Sequence, residues 1–206
     1  MMIKETFLEI ISDIWPMLVI ITVILVSLRL AYVFKGSKKL TLYKDLLYLM
    51  FIIYILCLFH VVTFQDVNFG NSNFVPFKEM FRYELFSPKF IRNVMGNVLL
   101  FVPFGFFVSY ILKSTKLKYP IILTFLTSIT IETVQYHIGR VFDIDDIILN
   151  ILGGFIGYLI YIALDAISDR LPKFFKRDGF LNLLVIFIVI VVIIYVLNIN
   201  IFSIWG

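Results

Sequence analysis

Charge is what this 206-residue chain lacks most: Asp, Glu, Lys and Arg together make up only 16% of it, against 61% apolar residues. Soluble domains carry about 25% charged residues. A globule of this composition has too few polar side chains to cover itself in water, which excludes a soluble fold and places the chain in a bilayer. Cysteine is reduced to one residue, Cys57, inside an apolar stretch, so an intramolecular disulfide is excluded and the redox compartment is not encoded. Of the two histidines, neither His60 nor His137 has a second ligand at metal spacing, and both read as polar interfacial residues. No repeat of 20 to 50 residues and no low-complexity tract interrupts the chain, which therefore reads as a single membrane domain over 1–206. A cationic leader is also missing. The first apolar run follows Lys4, Glu5, Glu9 and Asp13 and is too long for a signal-peptide core, so it reads as a retained helix.

What is present is a series of apolar windows of membrane-crossing length: Ile14 to Phe34, Leu46 to Phe64, Val94 to Leu112, Tyr119 to His137, Ile147 to Leu164 and Phe180 to Leu197. They predict an all-α integral membrane protein, a bundle of about six transmembrane helices. Arg29, near the end of the first, can snorkel to the headgroups. Glu132 lies well inside the fourth, where a carboxylate costs about 2.5–3.5 kcal/mol at mid-helix.

The excess of cations divides by side. Connections one, three and five, with their helix ends, hold Arg29, Lys35, Lys38, Lys39, Lys44, Lys113, Lys116, Lys118, Arg170, Lys173, Lys176 and Arg177. The other side holds Lys4, Lys78, Arg82, Lys89, Arg92 and Arg140. The Lys/Arg bias predicts that both termini face outward. Small basic groups between apolar runs do not form the single basic face that nucleic acid requires, so no nucleic-acid partner is expected. Membrane lipids are the expected partners.

The second loop, Gln65 to Arg92, exceeds a plain connector. Within it Phe77, Met80, Phe81 and Leu85 fall at helical spacing, which predicts an interfacial amphipathic segment or a lid on the bundle.

Polar residues gather at one end of three consecutive spans. Asn93 and Asn97, four apart and beside Arg92, predict one polar face at the start of the third. Thr124, Ser128, Glu132 and Gln135 form a stripe along the fourth, and Arg140, Asp143, Asp145, Asp146 and Asn150 open the fifth. Antiparallel threading brings these ends into the same leaflet, the outer one by the charge bias, with Asn97, Asn150 and Glu132 roughly 5 to 8 Å below their helix ends at a rise of about 1.5 Å per residue. The predicted ligand-binding set is Arg92, Asn93, Asn97, Glu132, Gln135, Arg140, Asp143, Asp145, Asp146 and Asn150. Each has a plainer reading. The aspartates and Asn93 suit helix caps, and Asn97 and Asn150 suit interhelical hydrogen bonds. Gly153 and Gly157, in small-xxx-small spacing, read as a packing face, and Pro103 with Gly105 as a kink. No cofactor and no metal site are committed. A divalent cation is an open alternative, because Asp143, Asp145, Asp146 and Glu132 offer a partial oxygen shell.

The segments Asn73-Phe74-Val75-Pro76-Phe77, Asn93 to Gly105, Glu132-Thr133-Val134-Gln135, Arg140 to Asp146 and Asn150-Ile151-Leu152-Gly153 together resemble the VanZ-like family, over a core of residues 45–165 with flanking helices at 14–34 and 180–197. The resemblance implies a multi-pass protein of the bacterial cell membrane, linked in its namesake to resistance against teicoplanin-type lipoglycopeptides. Three functional readings stay open. The leading one is an outer-leaflet protein that binds a lipid, a lipid-linked cell-wall precursor or a lipoglycopeptide. The second is a membrane hydrolase or transferase with Glu132 or Asp146 as general base, and the third is a scaffold.

Overall fold

The computed structural model describes residues 2–36, 41–64, 72–78, 80–84 and 86–196. The segment 65–71, Leu85 of the expected amphipathic pattern and Leu197 at the end of the sixth window lie outside the described residues, as does the side chain of Arg92. Six long helices occupy the six expected windows: α1 (Met2–Phe34), α2 (Leu42–Phe64), α3 (Pro88–Leu112), α4 (Lys118–His137), α5 (Ile144–Arg170) and α6 (Asp178–Val196). The protein is an all-α membrane protein. Among the described residues four stretches are long and apolar enough to cross a bilayer, Ile10–Phe34, Leu42–Thr63, Pro88–Leu112 and Ile144–Arg170, while the apolar part of α6 covers Asp178–Val191. α4 falls short in composition because of its polar stripe, and it hides that stripe: Thr124, Ser128, Glu132 and Gln135 are all buried.

The helices sort into two compact units, one built from 1–21 and 51–166, the other from 22–50 and 167–206. In the second unit the start of α2 holds a polar cluster. Arg29 Nε donates to Asp45 Oδ1 at 2.9 Å, Tyr43 Oη to Asp178 Oδ1 at 2.9 Å, and the Tyr43 amide to Asn182 Oδ1 at 3.2 Å. Arg29, expected to snorkel, is thus held in an ion pair.

In the first unit, α3, α4 and α5 pack through glycine. A Cβ on Gly105 would lie 2.0 Å from the Gly154 carbonyl oxygen; on Gly153, 2.2 Å from that of Val98; on Gly157, 2.1 Å from that of Val102. These contacts are with backbone, so α3 and α5 touch main chain to main chain. Gly154 also receives α4, since a Cβ there would meet Thr124 Oγ1 at 2.3 Å. Lipid tails are as apolar as leucine, so helices in a bilayer associate by close packing, and small residues permit it. On the other side of α3, Leu58 packs with Phe101, Phe104 and Val108, bordered by Tyr54, Val62 and Ile131.

α3 has an irregular start. Ser87 caps it, its Oγ accepting from the Phe90 amide at 3.2 Å, with Pro88 at the first position. Ile91–Met95 then form a π-helical turn before regular helix resumes at Gly96. Pro103 lies inside α3 without ending it.

The α2–α3 loop departs from the expected amphipathic helix. Its described part holds a turn at 76–78 and a single 3-10 turn, Met80–Arg82. Phe77 adopts φ 67°, a left-handed conformation that ends helical spacing. Met80 consequently faces inward, against Val94, Val98 and Leu149, while Phe77 and Phe81 face outward.

Because Gly154 meets helices on two sides, Gly154→Ala is expected to cost at least the 1–3 kcal/mol typical of overpacking. It should lower the melting temperature of the purified protein. Gly179→Ala, where a Cβ meets nothing within 4 Å, is expected to stay within about 0.5 kcal/mol of the parent. Equal melting temperatures for the two variants would contradict the packing account.

Candidate functional site

A cavity of about 50 Å³ lies among α2, α3, α4 and α5. Asn97, Glu132, Gln135, Arg140, Asp146 and Asn150 line its polar side, and Leu58, Val61, Val62, Leu100, Phe101 and Ile131 its apolar side. That volume holds a few water molecules or the tip of a larger group.

Local structure explains each placement. α4 ends in a Schellman turn, in which Gly139, at φ 86°, donates to Tyr136 O at 3.2 Å and the Arg140 amide reaches Gln135 O at 2.9 Å. Glycine alone takes this conformation without strain. The turn folds Arg140 back beside Gln135, and both reach one acceptor: Val62 O receives Arg140 Nη1 at 2.7 Å and Gln135 Nε2 at 3.3 Å. Val62 lies in the last turn of α2, whose carbonyls have no partner within the helix. Asn97 Nδ2 donates to Asp146 Oδ1, joining α3 to α5, and Asn150 Nδ2 donates to Ser128 Oγ at 2.9 Å, joining α5 to α4.

The aspartate cluster divides into two roles. Asp143 caps α5, its Oδ1 accepting from the Asp145 amide at 2.9 Å and from Asn73 Nδ2 at 2.9 Å. Its own amide donates to Glu132 Oε2 at 3.0 Å. Asp145, 1% exposed, holds the loop: Oδ1 accepts from the Phe77 amide at 2.5 Å and Oδ2 from the Met80 amide at 3.1 Å. A short parallel bridge completes the join, with the Asn73 amide on Phe142 O at 2.8 Å and the Ile144 amide on Asn73 O at 3.0 Å. Of the three, only Asp146 reaches the cavity.

Six of the ten expected residues therefore share the cavity. Asp143 and Asp145 stand behind it, committed to a cap and a loop clamp. Asn93 is exposed and does not join Asn97, because the intervening π-helical turn breaks the four-residue register on which that expectation rested. Arg92 sits in the same turn, its side chain outside the described residues. Among the described residues no three His, Cys, Asp or Glu side chains form a metal-binding group, and Asp143 Oδ1 and both carboxylate oxygens of Asp145 accept hydrogen bonds from protein donors. The predicted ligand-binding set left out Ser128, placed only in the polar stripe, and Asn73, placed only in a family segment, and sequence reasoning missed the Val62 carbonyl. Asn73 had a local signal, an Asn three residues before Pro76 whose side chain accepts from the Val75 amide at 3.1 Å. The Val62 carbonyl had none.

The sequence profile of the VanZ/LLP1 family matches residues 46–165, more than half of the chain. The chain belongs to the VanZ/LLP1 family. It is 27% identical over 106 residues to Protein VanZ of Enterococcus faecium, an alignment covering 50% of this chain and 63% of that protein, so it spans less than two thirds of that relative. No solved structure matches. Every cavity-lining residue falls inside the family segment.

Removing the clamp tests its role. Asp145→Ala leaves the Phe77 and Met80 amides without their carboxylate partner, and hydrogen bonds to charged groups contribute about 1.5–3 kcal/mol each. Amide hydrogen exchange across 75–80 is expected to accelerate by tenfold or more, about 1.4 kcal/mol. Unchanged protection would show that the loop is held by other contacts.

Proposed function

We propose that this protein acts in the bacterial cell membrane, at the outer leaflet, by binding the polar tip of a lipid, a lipid-linked cell-wall precursor or a lipoglycopeptide, and that it contributes to resistance against teicoplanin-type antibiotics. The observation that carries the reading is the convergence of Asn97, Glu132, Gln135, Arg140, Asp146 and Asn150 from three helix ends onto one cavity. Polar groups in a membrane bundle are costly and mark candidate binding sites when they face a common space. Two carboxylates against one guanidinium make the lining rich in acceptors. It suits a tip that donates hydrogen bonds, such as an ammonium, a hydroxyl or an amide N–H. At about 50 Å³ the cavity takes that tip alone, leaving the rest of the ligand in the leaflet. The cation bias supports the orientation, with the cavity end and both termini outward. Kinship with Protein VanZ supports the link to glycopeptide resistance.

Glu132→Ala and Arg140→Ala, compared at equal protein levels in cells, are expected to reduce co-purified lipid or wall precursor and to restore teicoplanin susceptibility several-fold. Melting temperatures of the same variants separate a lost site from a lost fold. If folded variants leave both lipid content and susceptibility at parental values, the binding reading fails.

A second reading, a membrane hydrolase or transferase, is favoured by Glu132 and Asp146 lining the same space, where one carboxylate can act as general base. It predicts turnover of a labelled wall lipid by purified protein, abolished in Asp146→Ala. Absence of turnover by the parent protein would set it aside.

A further inference from the structure

A second cavity, of about 270 Å³, lies where the α2–α3 loop meets α3, lined by Arg82, Tyr83, Glu84, Ser87 and Lys89. It shares no residue with the first. We infer that this groove binds a phosphate group carried by a membrane lipid.

Size, charge and placement each point to that ligand. The volume approaches the lower end of small-molecule sites, about 300 Å³, and is several times that of the first cavity. Two cations against one carboxylate leave the lining net positive. Arginine presents a planar fork of donors that matches phosphate oxygens in pairs, and lysine adds a point charge. Tyr83 carries a phenolic O–H. Ser87 Oγ accepts from the Phe90 amide and keeps its own O–H to donate.

The groove sits at the start of the stretch Pro88–Leu112, where a membrane span begins and phosphates of the leaflet lie. Around it the loop turns aromatic rings outward: Phe81 and Phe86 are each 80% exposed and Phe74 67%. Phe86 holds φ 62°, so the chain accepts an unfavourable backbone conformation while that ring stays largely exposed, edge-on to Phe90. Exposed phenylalanines beside basic residues are the composition of a segment lying in the bilayer interface. They favour a phosphate with acyl chains attached over a free anion in water.

The full-length protein, purified in neutral detergent, can be titrated with phosphatidylglycerol and lipid adducts read by native mass spectrometry. Arg82→Ala/Lys89→Ala is expected to weaken retention by about tenfold, from the loss of two charge-assisted contacts. Lys113→Ala/Lys116→Ala, at the far end of α3, is expected to leave retention unchanged. Glu84→Gln, which removes the opposing charge, is expected to tighten it a few-fold and serves if the double variant does not fold. Parental retention in the loop variants overturns the proposal. Displacement of the lipid by inorganic phosphate at equal concentration also overturns it, because the site is then one for the free anion. Since the two cavities have no residue in common, failure here leaves the reading of the first cavity standing.

Discussion

Contact between the main chains of α3 and α5 sets the geometry on which the site depends. Gly153 lies against the Val98 carbonyl and Gly157 against that of Val102, a constant offset between two helices running in the same direction. With that register fixed, the two turns of α5 before Gly153 carry Asn150 and Asp146 toward the start of α3, where Asn97 donates to Asp146. A side chain at Gly105 or Gly157 would push the helices apart by more than a hydrogen bond tolerates. The same approach admits α4, whose Thr124 fills the space above Gly154 and whose next polar residues, Ser128 and Glu132, then face α5. Packing and site chemistry are thus one arrangement.

Burying so many polar groups in an apolar medium requires that they satisfy each other. Asn150 reaches Ser128, Gln135 and Arg140 share a helix-end carbonyl, and Glu132 accepts the amide that precedes α5. These bonds fix side chains whose free rotation would cost a ligand binding energy. What remains is a lining already oriented before anything enters it.

Much of this is legible in the sequence because it is periodic or compositional. Hydropathy locates the six helices, although α1 begins twelve residues before its window, and the three- and four-residue steps from Thr124 to Gln135 identify the buried face of α4. Gly153 and Gly157 announce a close contact by spacing alone. The remainder depends on partners distant in the chain. Asp145 reads as a site residue or a cap until the loop is seen to place the Phe77 and Met80 amides on it. The Asn93–Asn97 face is lost to a single π-helical turn, whose extra residue leaves no periodic trace. The amphipathic pattern from Phe77 to Phe81 is real in sequence and overruled in structure, because the Asp145 clamp and the left-handed Phe77 are stronger than the propensity of so short a segment.

The bonds around Asp143 explain why motifs so far apart in the chain occur as a set. Its amide is on Glu132, its carboxylate on Asn73 and on the Asp145 amide, and Asp145 in turn holds the loop. Four segments, the Asn73–Phe77 turn, the polar end of α4, the α4–α5 connection and the start of α5, are therefore joined by hydrogen bonds through Asp143 and Asp145, two residues apart. Any displacement of the loop pulls on the cap of α5, and a shift of that cap moves the amide that orients Glu132 in the cavity. This shared network lies wholly within residues 46–165, the part of the chain that the family defines.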